Sequence, residues 1–227
     1  MRGLYAIVDL DLLSARGVDP IAFARAVLEA RPAALQLRAK NGHARAVLGL
    51  LRALAALCRA ANVPLVANDR ADLAMLAGAD MVHVGQTDPS PDAVRRIAPG
   101  LGVGVSTHDL AQLAAALDAL PSYVAFGPVF PTASKADPDP VVGLEGLSRA
   151  RALVPAAVPL VAIGGITPQN AGEVSRWADA GAVIGALLPP ADATGDLFAA
   201  VTARARALHE RLGGSPAAPR LGGEARA

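Results

Sequence analysis

Two aspartates, Asp69 and Asp88, each follow an apolar run of the chain and are accompanied by other polar residues. Proteins hold Mg²⁺ through one or two carboxylates, together with water and the phosphate oxygens of a substrate. If the two runs are neighbouring strands, the aspartates predict a magnesium site. The alternative is local: Asp69 would cap a helix that opens at Ala71, and Asp88 would begin a turn at Pro89.

Gln36, Arg38 and Lys40 form a second polar group. They alternate along the chain, so their side chains point to the same side of an extended segment. Two cations and an amide that face one ligand suit an anion. The alternative is a strand end whose charged side chains simply face water.

The segment Ser106-Thr107-His108 places hydroxyl groups beside an imidazole. Adjacent residues at a strand end point apart, and no acid is evident that would orient His108, so we expect no catalytic triad. Ser106 is predicted to hydrogen-bond a substrate. His83 lies inside an apolar run and is expected to be structural, and Cys58 is expected to be a small buried hydrophobic residue.

A long proline-rich loop over residues 127–142 carries Thr132, Ser134 and Lys135. Loops of this length in compact domains are often lids, so the hydroxyl groups and the lysine predict an anion clamp that closes over a ligand. The alternative is a surface loop without a function.

Glycines follow the last two apolar runs of the chain. Gly164 and Gly165 come after one run, and Gly185 comes after the next. In α/β barrels, glycines after the seventh and eighth strands let backbone N–H groups approach a phosphate. A Gly-Gly pair alone is weak evidence, but its position after the seventh run favours a phosphate cradle.

The elements that position these residues recur with a regular pattern. Apolar runs predict strands at 4–8, 34–37, 65–67, 81–84, 102–105, 123–126, 160–163 and 182–184. Stretches rich in Ala and Leu predict helices between them, among them 21–30, 44–61, 110–120 and 197–212. Three pairs of a capping residue and a proline predict helix starts: Asp19-Pro20, Ser90-Pro91 and Thr167-Pro168.

Continuously apolar strands are buried on both faces, and about eight strand–helix units are typical of a closed (β/α)8 barrel. An open, doubly wound sheet is the alternative, but it would gather polar residues at its switch point instead of after nearly every strand. The prediction is therefore an α/β fold, a single (β/α)8 TIM barrel over residues 1–212, with one pocket at its mouth. Residues 213–227 have linker composition and are expected to be a disordered tail.

Composition narrows the class of protein. The chain has 227 residues, 53% of them hydrophobic and 18% charged, with a net charge of +1. That balance argues against a nucleic-acid-binding surface and leaves any anion site local. Acids at Asp9 and Asp11 interrupt any signal-peptide core, and no apolar stretch is continuous enough to span a membrane. A single cysteine excludes an internal disulfide and favours a reducing, cytoplasmic location.

Several motifs, taken in order, closely resemble those of the thiamine-phosphate synthase family. They are QLRAK at 36–40, NDRADLA at 68–74, GADMVHVGQTD at 78–88, GVSTH at 104–108, FGPVFPT at 126–132 with Lys135, and AIGGI at 162–166. The resemblance extends from residue 4 to about residue 188. Because several motifs occur in the right order, the resemblance is specific.

The resemblance implies a barrel enzyme that joins hydroxymethylpyrimidine diphosphate to hydroxyethylthiazole phosphate, forming thiamine phosphate and pyrophosphate with Mg²⁺ as cofactor. The implied chemistry is dissociative: the bond to pyrophosphate breaks, and the thiazole nitrogen captures the resulting pyrimidine cation. Such a step needs a metal and cations to stabilise the leaving group, and it needs two aligned substrates more than a strong base.

The resemblance also implies roles for individual residues. It assigns Gln36, Arg38, Lys40 and Asn68 to the pyrimidine diphosphate, Asp69 and Asp88 to Mg²⁺, and Ser106 to the pyrimidine. It assigns Thr132, Ser134, Lys135, Gly165, Ile184 and Gly185 to phosphate groups. Of these residues, Lys135, Ser106 and Arg38 are expected to be catalytic. Small-molecule substrates are the expected partners, without nucleic acid or membrane, and a homo-oligomer is compatible with the sequence.

The chain departs from the family pattern at two positions. Ala39 stands where the family usually has Glu, and Gly185 stands where it usually has Ser. Ala39 should point away from the pocket, whereas Gly185 loses a side-chain donor near a phosphate. A thiazole tautomerase is the nearest alternative function, although such proteins generally lack the paired acids and have His where Pro128 stands here. The other alternative is a barrel that binds thiamine precursors without catalysis.

Overall fold

The fold is that of a computed structural model, which describes residues 1–132 and 139–215. Its strands are β1 Gly3–Asp9, β2 Ala34–Arg38, β3 Leu65–Asn68, β4 Met81–Val84, β5 Gly102–Thr107, β6 Tyr123–Phe126, β7 Leu160–Ala162 and β8 Ala180–Val183. Its helices are α1 Leu10–Ala15, α2 Pro20–Leu28, α3 Ala44–Ala61, α4 Ala71–Ala77, α5 Pro91–Ile97, α6 Leu110–Asp118, α7 Gly143–Leu153, α8 Ala171–Val174 and α9 Leu197–Arg211. A short 3₁₀ helix, Gly185–Leu187, follows β8.

The strands form one closed barrel in chain order, and β8 pairs in parallel with β1. The predicted (β/α)8 barrel is therefore confirmed, and the open-sheet alternative is wrong. The last strand begins two residues earlier than predicted, since Ala180 pairs with both Gly3 and Val161. Gly181 carries no side chain, so the apolar run that signals this strand starts late in the sequence.

Alternate residues of each strand face opposite sides of the barrel wall. On β2, Leu35 and Leu37 belong to the large outer core that packs under the helices, whereas Ala34 belongs to the small interior core. Gln36 and Arg38 share the register of Ala34 and so point into the barrel, toward its mouth. Ala39 packs against the outer core, which confirms that its difference from the family pattern points away from the pocket.

Two of the three predicted helix starts are confirmed. Asp19 accepts a hydrogen bond from the N–H of Ala22, and Ser90 accepts one from the N–H of Ala93. The prediction at Thr167-Pro168 is wrong. Helix α8 begins only at Ala171, because the side chain of Asn170 holds the preceding loop by accepting from the N–H of Thr167 and donating to the carbonyl of Gly165.

Within residues 1–132 and 139–215, no helix has the length and hydropathy needed to cross a bilayer. Cys58 is buried in α3, as expected, and burial raises the pKa of its thiol to about 12. The predicted tail beyond residue 215, Ser134 and Lys135 lie outside the described residues.

Candidate active site

Gln36, which points into the barrel from β2, has a side-chain amide nitrogen without a hydrogen-bond partner among the described residues. The residue is 3% exposed. A buried donor without a partner is costly, at about 1–3 kcal/mol. Because Gln36 lies within a mouth lined by other polar groups, this nitrogen is a candidate donor for a ligand atom.

Arg38 does not simply face water. Its Nη1 atom is paired with Oδ2 of Asp9, and the Oδ1 atom of the same carboxylate accepts the N–H of Leu12 at 2.9 Å. Asp9 is 5% exposed and ends β1, so it fixes both the guanidinium and the start of α1. Sequence reasoning missed this role of Asp9, although an acid at the end of a buried strand was the available signal.

The two aspartates predicted to bind Mg²⁺ meet at the mouth. The carboxyl groups of Asp69 and Asp88 are neighbours, and the Nζ atom of Lys40 lies 2.6 Å from Oδ2 of Asp69. Burial raises the pKa of the Asp69 carboxyl, Lys40 opposes that rise, and the neighbouring Asp88 adds to it. Two acids held together against their mutual repulsion, beside one cation, form a site suited to a divalent ion.

The local alternative fails for Asp69. The residue before α4 is Arg70, whose side chain makes no capping hydrogen bond, and the backbone of Asp69 is left-handed with φ of 63°. Asp88 ends a turn that starts at Gly85, whose N–H its Oδ2 atom accepts at 2.8 Å, and does not begin one at Pro89. That turn holds the second carboxyl group beside the first. Among the described residues, no cluster of three or more His, Cys, Asp or Glu forms a metal site, so any ion bound here needs other oxygen ligands.

Ser106 ends a chain of hydrogen bonds whose inner part is buried. Its Oγ atom lies 2.7 Å from Nε2 of His83, and Nδ1 of the same imidazole lies 2.8 Å from the hydroxyl of Tyr123. Tyr123 in turn lies 2.8 Å from the hydroxyl of Tyr5. The expectation that His83 is structural is confirmed in so far as both ring nitrogens have partners within the fold.

His108 lies apart from Ser106 in the hydrogen-bonding pattern. Its Nδ1 atom is 2.6 Å from the carbonyl of Gly127, and its Nε2 atom is 3.4 Å from Oδ2 of Asp139. The expectation that no acid approaches His108 is therefore wrong, because the loop after β6 brings Asp139 back to β5. The conclusion drawn from it still holds, since Ser106 contacts His83 instead of His108 and no triad forms.

The side of the mouth that is predicted to bind phosphate is formed by the loops after β7 and β8. Gly165 has φ of 65°, and a Cβ atom there would lie 2.5 Å from the carbonyl oxygen of Pro131, so only glycine fits beneath the loop after β6. Among the described residues, the N–H groups of Gly165 and Gly185 have no backbone partner. A side chain at Gly185 would meet no atom within 4 Å, so the space that a serine would fill is open.

Comparisons with known proteins agree with this geometry. The family model described as thiamine monophosphate synthase matches residues 4–187. The chain belongs to this family. A thiamine-phosphate synthase of Koribacter versatilis is 45% identical over 82% of the chain and 88% of the relative, and one of Anaeromyxobacter dehalogenans is 44% identical over 85% and 83%.

Solved structures lead to the same family. A thiamine phosphate pyrophosphorylase from Pyrococcus furiosus superposes with a TM-score of 0.78 at 32% identity, covering 93% of this chain and 97% of that one. A tryptophan synthase α subunit from Legionella pneumophila superposes with a TM-score of 0.65 at 17% identity, covering 93% and 92%, which is a likeness of fold alone. The predicted membership of the synthase family is therefore confirmed.

Proposed function

We propose that the mouth of the barrel joins hydroxymethylpyrimidine diphosphate to hydroxyethylthiazole phosphate and releases pyrophosphate. The activity is that of a thiamine-phosphate synthase, a transferase. The observation that carries the assignment of this activity to the mouth is the meeting of Asp69 and Asp88 beside Lys40. A leaving diphosphate needs such a cluster, because its charge grows as the carbon–oxygen bond breaks.

Asp69 and Asp88 would hold Mg²⁺, with water and diphosphate oxygens completing its coordination. The donor set fits this ion, since Mg²⁺ takes few protein carboxylates and no sulfur or nitrogen ligand is required. When bound, the ion neutralises charge on the leaving diphosphate. Lys40, whose Nζ atom lies 2.6 Å from Oδ2 of Asp69, would add its positive charge to the same region.

The pyrimidine diphosphate binds along β2, β3 and β5. Gln36 and Asn68 contact this substrate through their side-chain amides and Arg38 through its guanidinium, while Ser106 hydrogen-bonds the pyrimidine ring. Asp9 keeps Arg38 facing the mouth by occupying one side of its guanidinium. These groups orient the bond that breaks and need no general base, because the electron pair of that bond leaves with the diphosphate.

The thiazole phosphate binds opposite, where the N–H groups of Gly165 and Gly185 point to its oxygens, next to the backbone of Ile184. Thr132 contributes from the loop after β6. Ser134 and Lys135 are assigned to phosphate by the family motif. Holding this phosphate places the thiazole nitrogen next to the pyrimidine methylene carbon, so that its lone pair captures the pyrimidine cation after the bond to pyrophosphate has broken.

We assign this activity to the cytoplasm, since the one cysteine is a buried, free thiol and the substrates are small phosphorylated molecules. A homo-oligomer remains compatible with this assignment. Neither a nucleic acid nor a membrane is needed for the reaction.

The test is release of pyrophosphate by the purified chain when both substrates and Mg²⁺ are supplied. We expect release only with both substrates present and its loss on chelation of the metal. Binding of both substrates without turnover would instead support a sensor. Conversion of the thiazole without the pyrimidine substrate would support the tautomerase.

A further inference from the structure

The hydrogen-bonded chain Tyr5–Tyr123–His83–Ser106 crosses the interior of the barrel and reaches the mouth only at Ser106. Its three links measure 2.8, 2.8 and 2.7 Å. Tyr5 and Tyr123 are 2% and 0% exposed. The reaction proposed above uses Ser106 alone, so the other three members have no assigned role.

The strand register builds this chain. His83 on β4, Gly104 on β5 and Tyr123 on β6 are paired across adjacent strands. A Cβ atom on Gly104 would lie 2.0 Å from Cζ of the Tyr123 ring, so the missing side chain on the middle strand is what lets the tyrosine cross to the imidazole. The rings of His83 and Tyr123 are nearly parallel, with centroids 5.7 Å apart.

All members of the chain are uncharged near neutral pH. Burial lowers the pKa of His83 to about 4 and raises the pKa values of Tyr5 and Tyr123 above their usual range. A neutral imidazole has one N–H donor and one acceptor nitrogen. Unless the buried proton of Tyr123 is left without an acceptor, the donors of the chain therefore all point in one of two directions, toward Ser106 or toward Tyr5.

The inner end of the chain decides between the two directions. Among the described residues, the Tyr5 hydroxyl has the Tyr123 oxygen as its hydrogen-bond partner and no other. If the protons ran inward, the O–H of Tyr5 would be buried without an acceptor, which is unfavourable. If they run outward, Tyr5 donates to Tyr123, Tyr123 donates to Nδ1 of His83, and the Nε2–H group donates to Ser106.

We propose that the tyrosine pair holds His83 as the Nε2–H tautomer, which makes His83 a positioning residue that fixes Ser106 as a hydrogen-bond donor toward the substrate. Since Oγ of Ser106 already accepts from His83, its own proton is directed into the mouth. The matching substrate atom is an acceptor, such as an unprotonated ring nitrogen of the pyrimidine. This inference rests on the proposed role of Ser106.

The tautomer is measurable on the full chain without any substrate. We propose labelling the histidines with ¹⁵N and recording the long-range couplings between ring nitrogens and ring carbon-bound protons, which distinguish the two neutral forms. The chain has four histidines, and the variant His83→Gln identifies the signal by its loss. The expected pattern is a protonated Nε2 and an unprotonated Nδ1. The reverse pattern overturns the proposal.

A matched pair of variants tests the role in catalysis. The amide nitrogen of Gln reaches the place of Nε2, whereas that of Asn reaches the place of Nδ1, so only His83→Gln keeps a donor for Ser106. We expect His83→Asn to raise the KM for pyrimidine diphosphate about tenfold, the scale of one lost hydrogen bond, and His83→Gln to raise it about threefold or less. The KM for thiazole phosphate should stay the same in both.

Equal KM values for pyrimidine diphosphate in the two folded variants, or equal rises for both substrates, would overturn the positioning role. Thermal melts confirm that each variant is folded before its kinetics are compared. Failure of the proposed function itself is separate, because it would show as a wild-type chain that releases no pyrophosphate while the ¹⁵N pattern still reports the tautomer.

Discussion

At the amino-terminal end of the barrel, polar side chains satisfy the backbone of the strands that begin there. Oδ2 of Asp80 accepts the N–H of Leu65 at 2.8 Å, and Oδ2 of Asp179 accepts the N–H of Leu160 at the same distance. At the mouth, two polar groups are instead left incomplete: the Nε2 atom of Gln36 has no hydrogen-bond partner among the described residues, and Asp69 lies beside a second acid.

This difference indicates that the polar residues at the amino-terminal end serve mainly stability, whereas those at the mouth serve mainly function. Side chains at the amino-terminal end pair with the backbone of the strands, so their removal should cost stability. Side chains at the mouth carry unsatisfied or repulsive groups that a charged ligand would complete, so their removal should cost activity. The carboxyl ends of the strands in barrels of this type hold the active site, in line with this division.

The largest effect is expected at the mouth. Asp69→Asn keeps the volume of the side chain but removes a metal ligand, so we expect kcat/KM to fall by about 10²- to 10³-fold. The melting temperature should change little, since the exposed pair with Lys40 contributes at most about 1 kcal/mol. Steady-state kinetics and thermal melts measure the two effects. A variant that unfolds, or one that keeps normal Mg²⁺-dependent turnover, would contradict the division.

The next largest effect is expected on stability, in the interior of the barrel between its amino-terminal end and its mouth. Gly104→Ala would force Tyr123 away from His83, and we expect a loss of about 3 kcal/mol in the free energy of unfolding from overpacking and broken hydrogen bonds. Gly49→Ala is the matched control, because a Cβ atom there meets nothing within 4 Å on the exposed face of α3. Urea denaturation should show the control as stable as the wild type or more so. Equal stability of both variants would refute the packing argument.

Acid should destabilise the chain through His83. Its pKa is lowered to about 4 in the fold, against about 6.5 when unfolded, so between these values only the unfolded chain binds the proton. Above pH 6.5 this group has no effect, and as the pH falls toward 4 the folded state loses stability. Between pH 7 and 5 we expect a loss of about 2 kcal/mol that is missing in His83→Gln. Parallel pH dependence in the two proteins would show that His83 titrates normally.

A smaller effect is expected at the amino-terminal end. Asp80→Ala leaves the N–H of Leu65 without its acceptor, so we expect a loss of about 1–2 kcal/mol in the free energy of unfolding. Values of kcat/KM per folded molecule should not change. Asp118→Ala, on the exposed end of α6, is the control and should shift stability by less than about 0.5 kcal/mol. Reduced turnover in folded Asp80→Ala would contradict the division.

Much of the barrel could be predicted from the sequence, because its strands are continuous apolar runs and polar residues follow them. Helix α3 was predicted with the bounds that the structure has. The start of α8 was not, since the capping pair at Thr167 lies in a loop held by Asn170. Local sequence patterns predict helix caps and the spacing of apolar residues. They do not show which side chain a loop places against the start of a helix.

The same limit applies to the site. The meeting of Asp69 and Asp88 followed from strand adjacency once a barrel was predicted. The pairing of Arg38 with Asp9 and the contact of His108 with Asp139 join segments about 30 residues apart, and no spacing rule links them. The Tyr5–Tyr123 pair was missed for the same reason, because two tyrosines 118 residues apart meet only when the barrel closes.

The central claim is that the paired acids of the mouth hold the divalent ion that the leaving diphosphate requires. Mn²⁺ binding, followed by electron paramagnetic resonance in the presence of inorganic pyrophosphate, tests it without turnover. The account predicts one protein-bound ion in the wild type, binding weakened by about tenfold or more in both Asp69→Asn and Asp88→Asn, and wild-type binding in Asp80→Asn at the opposite end. Wild-type Mn²⁺ affinity in both mouth variants would contradict it.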